Sequence, residues 1–536
     1  MRRHNLAGEL SCPDNQTACR LSSGPIKEIG VLEKEAPYQG RKHGRRARPI
    51  LTEPEYFLKE TTLIRSVGID LSRTGSHQVR CLDEQARPCD SFSFDSTVEG
   101  LEKFEKRVFS NGDTPAIIFE PTGLAWIPMA VYLRARHPEC QMVKARLQKV
   151  AALRRYLRNH TKSDRVDGLT LAKMPFIDAE QLDEAYLPPS EYHALQRLTR
   201  QRERLMKSIT IRKNRIGSIV NGYLPDLRKA FSDEWSDRAR LFYRQQLNPF
   251  TVVRDGKSAL ETFLVSVKEK GAVTESHRVY QACQKLAEFY EKSKPAGMID
   301  EDFFDDLQNE IACELRLMET EEAEVERVSG RIEELYRHLH PSDNLRTIPG
   351  IGVRTAQVFL AIIGDPHRFR SQSAFANWTG VVPGARQSAN SEGKGLRMTK
   401  AGPSMMKRAL FQAGDIARRY DPQLADLYYR EMVQHGKTHL QAMGAVMSHL
   451  GARIMAVLRE GRPYELRDNQ GKLITKKEAM ELIRSAYKVP EETRQARRHR
   501  KSNVGRLASR GTREAAKAPQ SRHTSTSPVT VYLAED

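Results

Sequence analysis

The stretch Leu63-Ile64-Arg65-Ser66-Val67-Gly68-Ile69-Asp70 reads as a β-strand that ends in an acid. Working outward from it, His77 to Asp83 alternates apolar and polar residues and predicts a second strand, and Ser91 to Phe94 a short third. Val98 to Val108 has helical spacing. Ala116-Ile117-Ile118-Phe119 is a continuous apolar run, as expected of a strand covered on both faces. Glu120 closes that run, and Pro121-Thr122-Gly123 turns the chain into another helix. Three strands, helix, strand, helix is the order of an α/β sheet with crossover connections.

Two acids, Asp70 and Glu120, therefore follow apolar strands. If those strands are parallel neighbours, both carboxylates emerge at the carboxyl edge of the sheet, where sites form in open α/β folds. A further pair stands in Thr161-Lys162-Ser163-Asp164-Arg165-Val166-Asp167, where a spacing of three puts Asp164 and Asp167 on one helical face. Clustered carboxylates are hard oxygen ligands suited to Mg²⁺, and two such ions can assist phosphodiester cleavage. Each acid also has a plainer role open to it: a strand-end Asp is often a turn or cap residue. The Asp-x-x-Asp pair could simply balance Arg158 and Arg165.

Around this core the chain carries a strong positive excess. Its 536 residues hold 87 Lys and Arg against 68 Asp and Glu, a formal charge of +19. That balance favours a polyanionic partner, because phosphate contacts release condensed counterions. Residues 1–60 are turn-rich with a basic run at 41–48 and read as a flexible arm. Residues 494–522 hold ten Lys/Arg and one Glu and read as a disordered, phosphate-seeking tail within 490–536. The seven cysteines form no C-x-x-C pair, which fits a reducing cytosol rather than a zinc site or disulfide framework. The first twenty residues have no apolar signal region, and 357–364 is too short to span a bilayer. A cytoplasmic protein with no membrane partner is expected.

Two long amphipathic helices are expected in 190–342. The first carries a seam from Leu195 to Ile219, interrupted by Arg202 and Arg212; the second, from Leu315 to Leu339, is crowded with glutamates. Opposite charge suggests a coiled-coil pair, within or between chains. Residues 225–305 between them read as mixed helix and loop with no assigned role.

A second helical region follows at 343–465. Pro349-Gly350-Ile351-Gly352 feeding an apolar helix is similar to a helix-hairpin-helix turn, whose N–H groups can face a phosphate; a tight connector between packed helices would look the same. Further on, Gly384-Ala385-Arg386-Gln387-Ser388-Ala389-Asn390-Ser391 sets a serine in a small-residue loop. Arg386, Lys394, Arg397 and Lys400 stand nearby to stabilise charge should that serine attack a phosphodiester.

The blocks Val67–Ser72, Phe119–Gly123 and Thr161–Asp167, in this order and spacing, resemble the DEDD transposases of the insertion-sequence-110 family. Trp378–Ser391 and Gly395–Gly402 resemble that family's second signature, the Transposase 20 domain. The resemblance covers roughly 63–175 and 343–465. It implies an RNase H-like (RuvC-like) domain at 61–180 whose metal tetrad is Asp70, Glu120, Asp164 and Asp167. It implies a C-terminal domain whose serine, Ser388, links covalently to DNA. Ser388-Ala389 stands where the family has Ser-Gly, which leaves Ser391 as a second candidate. Mg²⁺, DNA contacts through Lys162, Pro349, Gly350, Gly352, Arg386, Lys394, Arg397 and Lys400, a dimer or tetramer joined by the coiled coil, and a structured guide RNA complete the expectation. Two other classes compete. A RuvC-like junction resolvase would need the carboxylates but form no covalent intermediate, and a non-catalytic nucleic-acid-binding protein would need neither site.

Overall fold

The computed structural model describes residues 65–496, apart from short segments at 111, 113, 159–163, 178, 180–181, 183, 268–270, 294, 296–298, 384–386, 389–390, 393–397 and 400. Both basic termini, the arm at 1–60 and most of the tail, lie outside the described residues.

A five-stranded mixed sheet forms the first layer. Strand β1 (Ser66–Asp70) lies at its centre, flanked by β2 (His77–Leu82) and, beyond it, β3 (Pro88–Phe94). After helix α1 (Val98–Val108), β4 (Ala116–Phe119) returns beside β1. Helix α2 (Trp126–Arg136) leads to β5 (Met142–Lys144) at the far edge. The order is β3-β2-β1-β4-β5; β2 and β3 run antiparallel to their neighbours, and β4 and β5 run parallel to β1. The third strand begins three residues before the expected Ser91, and β5 was not foreseen. Thr97 caps α1 by accepting from the Gly100 N–H, which fixes its start at the expected Val98.

Alternation along the strands divides the core. Val67, Ile69, Ile117 and Phe119 pack with Phe104, on α1, and with Leu133, on α2. Ala116, Ile118 and Val143 face the other way, onto the helices that follow, α3 (Leu147–Arg158) and α4 (Asp164–Ile177). Each fully buried aliphatic or aromatic side chain of these strands contributes about 1.5–3 kcal/mol over an exposed one.

The chain then leaves the sheet. Ala185 N–H donates to the Met142 carbonyl, 2.7 Å, so the connector covers the edge of β5 before helix α5 (Ser190–Tyr223). Short helices α6 (Asp237–Gln245), α7 (Pro249–Asp255) and α8 (Lys257–Val265) and the longer α9 (Ala272–Ser293) follow. Helix α10 (Glu301–Leu339) then runs back along α5. Glu191 pairs with His338, Ser208 with Glu321 and Arg215 with Glu310, so the two helices are antiparallel and pair within one chain. The segment 225–305, to which the sequence assigned no role, forms one apolar core with the second half of α5 and with α10. Its polar centre is the buried pair Arg238 Nη1 to Glu275 Oε2, 2.5 Å, with Glu275 Oε1 also accepting from the Ser232 N–H at 2.9 Å.

The last layer is helical: α11 (Val353–Ile363), α12 (Gln372–Thr379), a two-stranded hairpin of β6 (Gln387–Ser388) and β7 (Ser391–Glu392), then α13 (Ser404–Ala417), α14 (Pro422–Tyr429), α15 (His439–Glu460) and α16 (Lys476–Ala486). Leu195 and neighbouring apolar residues of the first half of α5 belong to this core, so α5 ties the layers together. Arg202, which interrupts the apolar seam, is buried there and donates to Gln357 Oε1 at 2.8 Å.

Candidate active site

The parallel pairing of β1 and β4 aligns Ser66 with Ala116 and Ile69 with Phe119. Continued by one residue, that register brings Asp70 and Glu120 side by side at the carboxyl edge, on backbones about 4.8 Å apart. Both residues are partly exposed. Successive side chains alternate between faces, so Asp70 lies on the same face as Gly68, and Glu120 on the same face as Ile118. That face is the one α4 covers.

Gly68 is what lets α4 come so close. A Cβ built there would lie 2.1 Å from the Gly168 carbonyl oxygen and 2.4 Å from the Ala172 nitrogen, both backbone atoms of α4. A glycine inside a strand marks such an approach. Asp167 immediately precedes Gly168 on this helix, at the segment that crosses β1. Asp167 is 9% exposed, and its Oδ1 accepts from Arg154 Nη1 of α3 at 2.6 Å. This partner stands on α3, one helix earlier; the side chains of Arg158 and Arg165 lie outside the described residues. Asp164 opens α4 one turn before Asp167, and its side chain, like all of Lys162, lies outside the described residues.

The loop leaving Asp70 is fixed by His77. The Ser72 N–H donates to His77 Nδ1 at 3.1 Å, which leaves Nε2 to carry the proton toward Ser96 Oγ at 2.6 Å. Burial lowers the His77 pKa from its ordinary value, with Asp95 acting in the opposite direction. The imidazole is thus kept neutral, as both of its hydrogen bonds require.

Carboxylates at one sheet edge are the donor chemistry a divalent cation takes, and on that ground Asp70, Glu120 and Asp167 fit such an ion. Among the described residues, no three His, Cys, Asp or Glu side chains are drawn into a cluster able to hold a metal. Arg154 stands on Asp167 as its counter-charge.

In the last layer, the serines stand on a hairpin. Gln387 pairs with Glu392, and Ser388 pairs directly with Ser391 across a two-residue turn. The hairpin continues to a bridge between Pro383 and Met398, and its base is clasped by two glycines in the left-handed region. Gly380 lies against the Ala401 carbonyl, and Gly402 against that of Trp378; a Cβ at either would sit 2.0 Å from that oxygen. Sequence reasoning quoted both glycines within their blocks but saw no role for them. Side chains along the hairpin, and Arg386, Lys394, Arg397 and Lys400 altogether, lie outside the described residues.

The Pro349–Gly352 turn is closely packed. Gly350 has φ +85°, and a Cβ there would meet the Ala413 carbonyl of α13 at 2.4 Å, while Ile351 is buried. Packing against α13 explains Gly350 without a ligand. Gly352 differs: it is exposed, nothing lies within 4 Å of its Cβ position, and no side chain caps the α11 N-terminus that it begins.

Residues 67–225 match the family model described as the DEDD transposase of IS110, and residues 342–429 match that of the Transposase IS116/IS110/IS902 family. In both segments the chain is similar to the DEDD transposases of the IS110 family. Among its curated relatives, an IS110 insertion-element protein of Streptomyces coelicolor, "uncharacterized 43.6 kDa protein", is 34% identical over 129 residues, 24% of this chain and 31% of that protein. The pilin gene-inverting protein of Moraxella lacunata is 33% identical over 123 residues, 23% of this chain and 38% of that one. An IS116 protein of Streptomyces clavuligerus is 22% identical over 277 residues, 52% of this chain and 66% of its own length. The aligned segment thus spans about a third of the first two relatives. No helix among the described residues is long and apolar enough to cross a membrane.

Proposed function

We propose that this chain is a DNA transposase or recombinase of an insertion element, cutting and exchanging strands with a carboxylate tetrad and a serine nucleophile. The observation that carries the reading is the junction of β1, β4 and α4. It brings Asp70 and Glu120 to one edge and sets Asp167 on the helix that Gly68 admits against the same face. The strand order β3-β2-β1-β4-β5 supports an RNase H-like assignment for this layer, at about residues 61–180.

Asp70, Glu120, Asp164 and Asp167 would hold Mg²⁺, which when bound supplies positive charge to the scissile phosphate. Arg154, paired with Asp167, orients its carboxylate. On the hairpin, Ser388 Oγ attacks phosphorus. A Ser–O–P bond forms as the P–O bond to one sugar breaks, and in net terms the hydroxyl proton passes to the leaving oxygen. Arg386, Lys394, Arg397 and Lys400 would balance the charge that develops. The open α11 N-terminus at Gly352 offers a phosphate contact beside Pro349. A structured guide RNA and a homo-oligomer belong to the same reading. The antiparallel α5–α10 pair buries its seam within one chain, so subunits would meet through other surfaces or through the outer faces of these helices.

The test is a denaturation-resistant protein–DNA adduct on element-end DNA. Ser388→Ala should remove it, and Ser391→Ala should leave it. Asp70→Ala, Glu120→Ala or Asp167→Ala should abolish cleavage while DNA binding persists. Cleavage without an adduct would favour the junction-resolvase reading. Recombination that proceeds with protein and DNA alone, indifferent to any co-purifying RNA, would remove the guide.

A further inference from the structure

Helix α5 carries two kinds of arginine. In its second half Arg212 is held by Glu314 and Glu321, and Arg215 by Glu310 and Glu314, all from α10. In its first half Arg197, Arg200 and Arg204 are exposed and make no ion pair with any described residue. Their spacing of three and four puts them on one face, opposite the buried Leu195, Thr199 and Arg202. They span about 10 Å of helix, the axial rise of about three phosphates along one DNA strand.

This face continues toward the sheet. Lys144 ends β5 in register with Phe119, the residue before Glu120, and its ammonium lies 4.9 Å over the Trp126 ring. The positive charges of Arg200 and Arg368 stand near enough to Lys144 to help lower its pKa, after the larger effect of desolvation. Arg200 is lowered in turn by desolvation and by Arg197 and Arg204. Arg368, at the other end of the group, is itself stacked on Tyr186, Phe369 and Trp378 at 4.2–4.7 Å. Asp365 acts on Arg368 at the far end; the remaining row of like charges is unfavourable in the free protein and is relieved by a polyanion.

We propose that Arg197, Arg200 and Arg204, continued by Lys144, form a phosphate track that leads substrate duplex DNA to the carboxylate edge of the sheet. The proposal deepens the transposase reading and rests on it for the identity of the substrate. The duplex beyond the cut would lie along the first half of α5, held by backbone charge and without base recognition.

The experiment is the salt dependence of binding of the full chain to a fluorescent DNA duplex. It compares wild type, the triple variant Arg197→Gln/Arg200→Gln/Arg204→Gln, and a charge-matched control, Arg327→Gln/Arg331→Gln/Arg337→Gln. The control arginines are exposed on α10 and each pairs with a glutamate within four residues. Three lost phosphate contacts should flatten the slope of log K against log salt by about 2.7, so that between 50 and 200 mM salt wild type loses about 40-fold more affinity than the triple variant. The control should keep the wild-type slope. Circular dichroism and melting check the fold; should the triple variant unfold, Arg200→Gln alone should flatten the slope by about 0.9. Equal flattening in both variants, or none in either, overturns the track. Flattening on structured RNA but not on duplex DNA overturns its assignment to DNA. Failure of the parent reading is separate: a wild type that forms no serine adduct yet shows the expected slopes loses the transposase mechanism and keeps the track.

Discussion

Gly68→Ala tests whether the contact of α4 with β1 builds the site. The added Cβ would lie 2.1 Å from the Gly168 carbonyl and 2.4 Å from the Ala172 nitrogen. Both are backbone atoms in the middle of a helix, so neither can swing aside as a side-chain tip could. Reaching ordinary contact requires α4 to retreat by about 1.3 Å, in a core whose packing resembles a crystal. Leu171 and Ala172, both fully buried, would be lifted with it. Overpacking of this kind costs about 1–3 kcal/mol, here near the upper end, and should lower the melting temperature by roughly 10 °C. The shift also carries Asp167 away from Asp70 and Glu120, and about 1 Å of misplacement can cost roughly 100-fold in rate. Gly168→Ala is the control, since it lies in the same contact. Its Cβ would meet the flexible Arg80 side chain at 3.2 Å and the Gly68 carbonyl only at an ordinary 3.7 Å, and alanine favours a helix by roughly 0.5–1 kcal/mol over glycine. That variant should be neutral or slightly stabilised and should cleave normally. Melting followed by scanning calorimetry and single-turnover cleavage would read both. A Gly68→Ala protein as stable and active as wild type, or a Gly168→Ala protein equally damaged, would refute the claim that this contact positions the acids.

Other variants probe other layers. Glu275→Ala strands Arg238, 1% exposed at its side chain, and should cost about 3–5 kcal/mol, whereas Arg238→Met with Glu275→Leu should recover most of it; chemical denaturation checks the pair. Gly380→Ala should loosen the hairpin base and reduce adduct formation without changing DNA binding, because the Cβ would meet the Ala401 carbonyl at 2.0 Å from a residue with φ +70°; unchanged adduct yield would remove the clasp from the mechanism. His77, His340, His439 and His449 all have pKa values lowered by burial. The unfolded chain therefore binds protons first as pH falls through 6.5, so stability should be flat above that pH and decline below it, levelling beneath the folded pKa values. His77→Gln should reduce the slope of melting temperature between pH 7 and 5, and a slope unchanged in that variant would exclude His77 from the effect.

The sheet was legible wherever burial wrote an apolar run. Ala116–Phe119 has all four residues buried and was read to the residue, as was α1. Strand β5 was not, because three residues, Met142 to Lys144, leave no period to detect, and the third of them is polar. With β5 went Lys144 and the whole basic face that runs on to α5. Segment 225–305 resisted for a related reason: its order comes from tertiary contacts, above all an Arg–Glu pair separated by 37 residues, which no local pattern signals. The seams of α5 and α10 were visible as charge and period, but antiparallel pairing within the chain rests on partners such as Arg212 and Glu314, 102 residues apart.

The candidate site divides along the same line. Asp70 and Glu120 could be found because the physics that ends a buried strand also delivers its last acid to an edge. Asp167 needed a third element, and the signal for it lay in β1 itself. A glycine amid Val67 and Ile69 forfeits side-chain burial at the centre of the sheet, which is reasonable only if another backbone must come close. Gly68 thus reports the crossing of α4, and the acid-bearing turn just before that crossing is its consequence. No comparable signal separates Ser388 from Ser391. The two are paired across a two-residue turn and have the same chemistry. A shift of the strand register by one residue would turn either toward a phosphate or away from it. The choice between them therefore rests on how the hairpin is held against DNA. Gly380 and Gly402 set that at its base, so the adduct assay on Gly380→Ala bears on the nucleophile as directly as substitution of either serine.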